Sequence, residues 1–257
     1  QSLNKQRVVI AGSHGKTTIT SIILHAMRVN NRTFDYLVGA QLDGFDTMVK
    51  LSENAPVIIV EGDEYPASPT DLSPKFLHYH PHVALISGIA WDHFNVFPTW
   101  ESYVRQFEKL ADSLSKSGIL IFDETDDMLD VIGKNERADV RPVPYEAHPH
   151  KIVNGQTFLT SQAYGDVPLL IFGEQNMKNI SGALAVCTEL GLTQDQFYRA
   201  IQTFKGAANR METLAKSNDR AVFKDFAHAP SKVEATTKAA KSQFPKRKLV
   251  ACVELHT

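Results

Sequence analysis

The sequence predicts an α/β fold, with a P-loop and a mostly parallel sheet that carries helices on both faces. Short β-branched runs alternate with segments whose apolar residues recur at helical spacing. The first run is followed at once by glycine and then by a helical segment. The chain has 257 residues, 43% of them hydrophobic, enough for one large domain or one domain plus part of another. Strands alternating with helices pair in parallel and are covered on both faces, so their apolar runs are continuous.

The predicted elements follow one another in the order that this fold requires. Strands are expected at 7–11, 57–60, 83–86 and 119–122, and helices at 16–27 and 100–114. The pattern weakens between 123 and 166, where residues 151–160 are typical of hairpin strands. An antiparallel edge or subdomain is therefore expected in that region.

Two helices are expected after this region. The first, rich in small residues, covers 176–190 and ends before Gly191, which is typical of a C-cap. The second opens with Thr193, which is typical of an N-cap, and extends to about residue 203.

The chain is expected to divide into two domains, residues 1–207 and 208–257. Beyond the boundary, a strand at 221–225, a helix at 231–244 and a strand at 248–254 predict the beginning of a Rossmann-like βαβ unit. Two parallel strands with one crossover helix cannot bury both faces of the pair. Most of the second domain is therefore expected to lie outside this chain.

Charge and hydropathy exclude several classes of partner. The net charge is −2 with 22% charged residues, so no overall field attracts nucleic acid or an anionic membrane. No stretch approaches the roughly 20 apolar residues of a membrane span. Cys187 and Cys252 lie in apolar runs, which predicts buried thiols in a reducing compartment. We expect a cytoplasmic protein with a small-molecule partner and with neither nucleic acid nor a membrane among its partners.

A candidate phosphate loop joins the first strand to the first helix, with the sequence Gly12-Ser13-His14-Gly15-Lys16-Thr17-Thr18. Backbone amides of such a turn and the helix N-terminus point at an anion, the lysine reaches the outer phosphates and the next hydroxyl holds magnesium. Its glycines are closer together than in the general G-x-x-x-x-G-K-[ST] pattern. The alternative is an ordinary glycine turn before a helix.

The loop resembles that of the Mur ligases and the related folylpolyglutamate synthases, whose central domain is an ATPase. The resemblance implies ATP binding by Gly12, His14 and Gly15 to Thr18 and a catalytic role for Lys16, with Thr17 as a Mg²⁺ ligand.

Acidic and histidine motifs follow the next two predicted strands. The segment 61–64, Glu-Gly-Asp-Glu, comes directly after a buried run, so its carboxylates are expected beside the phosphate loop. It matches the family's E-A-D-E, which implies that Glu64 is a catalytic Mg²⁺ ligand. The segment 89–93 resembles the family's N-[IL]-x-x-D-H and implies that His93 helps to hold a second Mg²⁺. A solvated acidic loop and a structural histidine are the alternatives.

Three later motifs complete the resemblance. Residues 173–179 resemble G-x-H-N-x-x-N, which implies that Asn176 and Asn179 lie by the adenine. Residues 204–212 resemble F-x-G-x-x-R-R-x-E and imply that Arg210 reaches the γ-phosphate. Residues 225–230 resemble D-[YF]-[AG]-H-H-P, which implies nucleotide contact by Asp225 and a catalytic role for His228. Four positions depart from the usual family residues, namely Gly88, Gln175, Asn209 and Ala229.

His78, His80 and His82 alternate along the chain. On an extended segment all three would share one face, which is the geometry of a transition-metal site. No cysteine or carboxylate accompanies them at useful spacing, so a surface or a substrate-facing edge is favoured.

The resemblance implies an ATP- and Mg²⁺-dependent ligase that joins a carboxylate to an amine through an acyl phosphate. Its partners would be UDP-N-acetylmuramate and a peptide or amino-acid amine. Glu64-Tyr65 and residues 75–79 resemble the branch that attaches a cell-wall peptide in peptidoglycan recycling; the alternative branch attaches L-alanine in biosynthesis. The UDP-binding N-terminal domain is expected to be absent, so this chain alone is expected to bind nucleotide without ligation. A P-loop kinase or GTPase and a nucleotide-gated, non-enzymatic module remain alternatives.

Overall fold

The structure, a computed structural model, describes residues 4–40, 44–91, 96–134, 137–227 and 230–254. The helices of this part are α1 (Lys16–Val29), α2 (Trp100–Asp112), α3 (Asp127–Gly133), α4 (Glu174–Glu189), α5 (Gln194–Ile201) and α6 (Pro230–Gln243), with a 3-10 helix at Lys75–His78. The strands are β1 (Gln6–Ala11), β2 (Asp35–Leu37), β3 (Val49–Lys50), β4 (Val57–Glu61), β5 (Pro66–Ser68), β6 (Asp71–Pro74), β7 (Val83–Ile86), β8 (Gly118–Asp123), β9 (Val140–Tyr145), β10 (His150–Val153), β11 (Gln156–Ser161), β12 (Gly165–Pro168), β13 (Glu212–Lys216) and β14 (Ala221–Lys224).

The main sheet has seven strands in the order β3-β2-β4-β1-β7-β8-β9. Every pair in it is parallel except β2 with β3, so the predicted fold class is confirmed. In the middle of the sheet, Val8 pairs with Ile59 on one side and with Val83 on the other. The chain fills one half of the sheet after β1 and the other half from β7 onward. The carboxyl ends of β1 and β7 therefore form the switch point at which α/β sheets bind ligands.

Each face of the sheet carries its own core. Val8 and Ile10 belong to a cluster with residues of α1, α4 and α5, whereas Val9 and Ala11 belong to a second cluster with residues of α2 and α3. Successive side chains of a strand point to opposite faces, so an unbroken apolar run is needed to fill both clusters. The helices on both faces are thus as predicted.

The local signals at the helix ends act as the sequence indicates. Thr193 caps α5 by accepting the Gln196 amide, and the Gln196 side chain accepts the Thr193 amide in return. Gly191, which follows α4, has a φ of +80° that favours glycine. The predicted antiparallel subdomain is also present, because β10, β11 and β12 form a three-stranded sheet of their own.

The C-terminal region differs from the prediction of a βαβ unit. β14 pairs with β13 as an antiparallel hairpin, and α6 follows it. The predicted strand at 248–254 is wrong, because these exposed residues pair with no strand of the described chain. Cys252 is consequently exposed, contrary to the prediction, while Cys187 is buried as expected.

The three alternating histidines do not form the extended segment that would set them on one face, and His78 and His80 are exposed, as the favoured surface location predicts. His78 ends a 3-10 helix, and His80 has a φ of +45°, which turns the chain. His78 lies 3.2 Å from Asp71, while His82 Nδ1 accepts the Arg7 amide at 3.0 Å. The turn gives each ring different neighbours and removes the geometry of a metal site.

Among the residues described, no helix combines the length and apolar character that crossing a membrane requires.

Candidate functional site

The phosphate loop joins the end of β1 to the start of α1, at the switch point of the sheet. A Cβ on Gly12 would come within 2.5 Å of Ser87 Oγ, and one on Gly15 within 2.3 Å of Asn179 Oδ1. Both glycines also have positive φ values, +121° and +80°. Only glycine fits at these two positions, because the loop is enclosed between the end of β7 and the first turns of α4.

Lys16 is held over the loop by two oxygen acceptors. Its Nζ donates to the carbonyl of Gly12 at 2.6 Å and to Glu64 Oε2 at 2.7 Å. The side chain of Glu64 is only 2% exposed and that of Lys16 is 13% exposed. The loop therefore carries a charged pair at the position where the general phosphate-loop mechanism requires a cation.

Thr17 contacts a different glutamate. Its hydroxyl donates to Glu61 Oε1 at 2.7 Å, and the other carboxylate oxygen accepts the Gly39 amide at 2.9 Å. Glu61 is the last residue of β4 and is buried. A hydroxyl and a carboxylate beside an anion-binding turn are the oxygen donors that Mg²⁺ takes along with phosphate oxygens and water, so the donor set fits this ion.

The sequence analysis expected the carboxylates of 61–64 beside the loop but named only Glu64 as a metal ligand. Parallel pairing sets Glu61 opposite Ile10, two residues before the loop. Among the described residues, no group of three or more histidine, cysteine, aspartate or glutamate side chains could hold a metal ion. The site thus fits an ion that takes its remaining ligands from the nucleotide and water.

Asp63 lies between the two glutamates in sequence. Burial raises its pKa, and the charges of Glu61 and Glu64 raise it further, whereas Lys16 and Lys75 act in the opposite direction. The two glutamates thus act on Asp63 as neighbouring negative charges that oppose its ionisation.

The first turns of α4 bring two predicted residues to the loop. Asn176 donates to the carbonyl of Phe172 at 2.8 Å, and its own Oδ1 accepts from Asn179 at 3.3 Å. Asn179 is buried against Gly15. Of the two asparagines, Asn179 is the one in contact with the phosphate loop.

Arg210 and Asp225 lie together at the open end of the β13–β14 hairpin. The guanidinium of Arg210 lies 5.2 Å from the ring centre of Phe226, and Asp225 accepts the Met211 amide at 2.7 Å. These contacts, like the bond from Arg210 to the carbonyl of Asn209, stay within residues 209–226 of the described chain. The contacts given for these two residues thus lie within one short segment of the described chain and do not include the phosphate loop.

His93 and His228, the other two predicted site residues, lie outside the described residues. The loop that leads towards His93 is anchored at its start, since Ser13 donates its amide to the carbonyl of Gly88 at 2.9 Å. Asp126, the N-cap of α3, accepts the Ile89 amide on its Oδ2 at 2.8 Å.

A cavity of about 810 Å³ lies apart from the phosphate loop. It is lined by residues of the β13–β14 hairpin, of the end of α6 and of β11, and its walls include Phe172, Phe223 and Phe244. Their ring centres are 5.2 to 6.3 Å apart, so the three rings pack mainly against one another. None of its lining residues belongs to the phosphate loop.

The sheet and its loop define a P-loop α/β protein, with the anion-binding turn at the switch point of a parallel sheet. Within that class, the chain belongs to the Mur ligase family. Its residues 10–187 match the Mur ligase middle domain.

The relatives to which this chain is similar include two kinds of ligase. It is 25% identical to the UDP-N-acetylmuramate–L-alanine ligase of Roseiflexus sp. (strain RS-1), covering 100% of this chain and 59% of that one. It is also 25% identical to the UDP-N-acetylmuramate–L-alanyl-gamma-D-glutamyl-meso-2,6-diaminoheptandioate ligase of Haemophilus influenzae, covering 92% of this chain and 53% of that one. The chain thus spans somewhat more than half of each relative.

The fold is similar to that of a solved family member. The crystal structure of UDP-N-acetylmuramate-alanine ligase from Thermotoga maritima has a TM-score of 0.74 at 18% identity, covering 94% of this chain and 55% of that one. At this identity, the likeness establishes the fold alone.

Proposed function

We propose that the protein containing this chain is an ATP-dependent ligase that joins the carboxylate of UDP-N-acetylmuramate to the amine of a cell-wall peptide. One observation carries the proposal: two consecutive loop residues each pair with a buried glutamate, Lys16 with Glu64 and Thr17 with Glu61. Such a pairing serves a charged phosphate chain and its metal ion. Family membership assigns that chemistry to amide-bond formation.

The proposed reaction has two steps, phosphoryl transfer and amide formation. A carboxylate oxygen attacks the γ-phosphorus of ATP, the bond to the bridging oxygen breaks and ADP leaves. The amine nitrogen then attacks the acyl phosphate carbon, loses a proton and releases inorganic phosphate as the amide forms. Both steps develop charge on oxygens, which preorganised donors stabilise.

The residues of this chain would have separate roles in the reaction. The loop amides and Lys16 would orient the β- and γ-phosphates, while Thr17 and Glu61 would hold Mg²⁺, with Glu64 close by on Lys16. When bound, the ion would neutralise charge on the phosphate oxygens. In the family pattern Asn176 and Asn179 lie by the adenine and His93 by a second ion.

The C-terminal segment would complete the site. We place the domain boundary after residue 207, so that Arg210 and Asp225 belong to the segment that moves. Arg210 would leave Phe226 and reach the γ-phosphate, where a guanidinium fork suits phosphoryl oxygens. Asp225 would contact the nucleotide, and His228 lies three residues beyond it. Closure would also exclude the water that hydrolyses an acyl phosphate.

The choice of a peptide over L-alanine rests on two segments. Glu64-Tyr65 and residues 75–79 resemble the recycling branch, and the Haemophilus influenzae relative is of that branch by name. L-Alanine is the second candidate, because the Roseiflexus relative matches at the same identity over more of the chain.

Phosphate release from ATP by the protein containing this chain tests the proposal. With Mg²⁺ and UDP-N-acetylmuramate present, we expect release with L-alanyl-γ-D-glutamyl-meso-diaminopimelate and none with L-alanine. Release with L-alanine alone would move the protein to the biosynthetic branch. The absence of phosphate release with either amine would contradict the proposed ligase activity.

A further inference from the structure

The hydroxyl of Tyr103, on α2, reaches the phosphate loop. It lies 2.7 Å from Ser13 Oγ, and both side chains are buried. Ser13 Oγ also accepts the Ala90 amide at 2.8 Å. A continuous chain of two hydrogen bonds therefore joins α2 to the phosphate loop and the phosphate loop to the loop after β7.

Tyr103 is the rigidly held partner in these two hydrogen bonds. Its side chain has no exposed surface, and its ring centre lies 5.3 Å from those of Phe97 and Phe107 and 6.5 Å from that of Trp100. Aromatic contacts of this geometry stabilise one orientation of the ring. The hydroxyl is thus held at a fixed place beneath the loop and cannot follow Ser13 if the serine moves.

Ser13 is the point at which two loops meet. Its amide donates to the carbonyl of Gly88 and its side chain accepts from Ala90, so backbone and side chain both contact the loop after β7. Asp126 anchors that loop from the other side through the Ile89 amide. Ser13 thus joins the two loops through both its backbone and its side chain, and its side-chain bond is the one that Tyr103 contacts.

We propose that Tyr103 is a positioning residue for nucleotide binding, which acts through Ser13 to keep the phosphate loop in place against residues 88–90. The inference rests on the proposed function, in which the loop holds the phosphates of ATP. Tyr103 itself is buried, and its hydroxyl contacts the loop through Ser13.

The test is the affinity of the whole chain for ATP with Mg²⁺, measured by isothermal titration calorimetry. Tyr103→Phe keeps the ring and removes only the hydroxyl, and we expect about fivefold weaker binding from the loss of one buried hydrogen bond. Tyr198→Phe is the matched control. Its hydroxyl is bonded to His148 Nε2 at 2.8 Å, and it belongs to the core on the other face of the sheet. It should lose comparable stability in urea but keep the wild-type affinity.

A double-mutant cycle separates positioning from general destabilisation. If Tyr103 acts through Ser13, then Tyr103→Phe should weaken ATP binding little further once Ser13→Ala is present. Wild-type affinity in Tyr103→Phe, equal weakening in Tyr198→Phe or fully additive effects would each overturn the inference alone. A wild-type chain that binds no ATP would overturn the proposed function as well.

Discussion

Lys16 and Thr17 are neighbours in the chain, yet each contacts a different glutamate. The carboxylate of Glu64 neutralises the lysine, while that of Glu61 accepts from the threonine and from a backbone amide. The two glutamates are three positions apart, but only Glu61 belongs to a strand of the sheet. Glu64 is thus paired with a cation, whereas Glu61 is the carboxylate that we propose as the Mg²⁺ ligand.

Glu61→Gln should raise the Mg²⁺ concentration for half-maximal ATP binding by at least about tenfold, since even outer-shell partners of a metal have effects of that size. Glu64→Gln should leave that concentration nearly unchanged. It should instead lower the stability of the free chain by about 3 kcal/mol, because the Lys16 ammonium loses its buried partner.

Calorimetric titrations at a series of Mg²⁺ concentrations, with urea unfolding of both variants, measure these effects. If Glu64→Gln shifts the Mg²⁺ dependence and Glu61→Gln does not, the metal ligand is Glu64, as the family motif implies.

Much of the site can be predicted from residue order alone, because strand, glycine turn, lysine and hydroxyl are consecutive. The glutamate that contacts Thr17 cannot be chosen in this way. That choice depends on the register between β1 and β4, which places Glu61 opposite Ile10. The contact between Tyr103 and Ser13 is likewise set by how α2 packs on the sheet, and no motif records it.

Asp35 and Lys5 form a second buried pair, and Lys5 directly precedes β1, at the end opposite the phosphate loop. Burial acts to raise the pKa of Asp35, but its hydrogen bonds with Lys5 and Ser52 outweigh burial and hold the pKa below its usual value. A carboxyl whose pKa is lowered by folding stabilises the protein above its unfolded pKa of about 3.9 and loses that contribution as the pH falls.

Wild-type stability should therefore fall steeply below about pH 4. Asp35→Asn should be less stable than wild type at pH 7, and its stability should fall less steeply as the pH is lowered. Urea unfolding between pH 7 and pH 3 measures both slopes. Parallel slopes in the two proteins would contradict this assignment.

At the scale of elements, the sequence predicts the regular segments well where a local signal marks their ends. Glycine after α4 and threonine before α5 are such signals, and the structure confirms both. The predicted strand at 248–254 had an apolar pattern but no partner strand in the described chain. A strand exists only when paired, so pattern alone could not decide it.

Thr193→Ala should destabilise the chain by about 1 kcal/mol, because it removes the cap of α5. Thr188→Ala provides the control, since this exposed hydroxyl on α4 donates only to the Leu184 carbonyl within its own helix. Urea midpoints of the two variants give the comparison. Equal losses would show that the capping box contributes nothing specific.

At the scale of the whole molecule, α6 is attached to the β10–β12 sheet through one buried glutamine. Gln243 accepts from Thr157 at 2.9 Å and donates to the carbonyl of Gly155 at 2.8 Å. Beside it, Phe244 packs on Phe172 and Phe223. These contacts join the end of α6 to the β10–β12 sheet and to Phe172 in the described part of the chain.

Gln243→Ala should accelerate amide hydrogen exchange in α6 by about tenfold or more, because it leaves buried partners without their bonds. Exchange in β1, β4 and β7 should stay unchanged if the two parts are separate units. Gln202→Ala, which removes a bond within the end of α5, serves as the control. Faster exchange throughout the main sheet would place the boundary elsewhere.

The enclosed phosphate loop also has a consequence for the order of folding. Its shape needs Ser87 behind Gly12, Asn179 behind Gly15 and Glu64 beside Lys16, three contacts from distant parts of the chain. Contacts between residues far apart in sequence form late, because the intervening chain must first be ordered. Under the proposed function, a newly made chain would therefore gain affinity for ATP only after the sheet is assembled and residues near 179 have folded onto the loop.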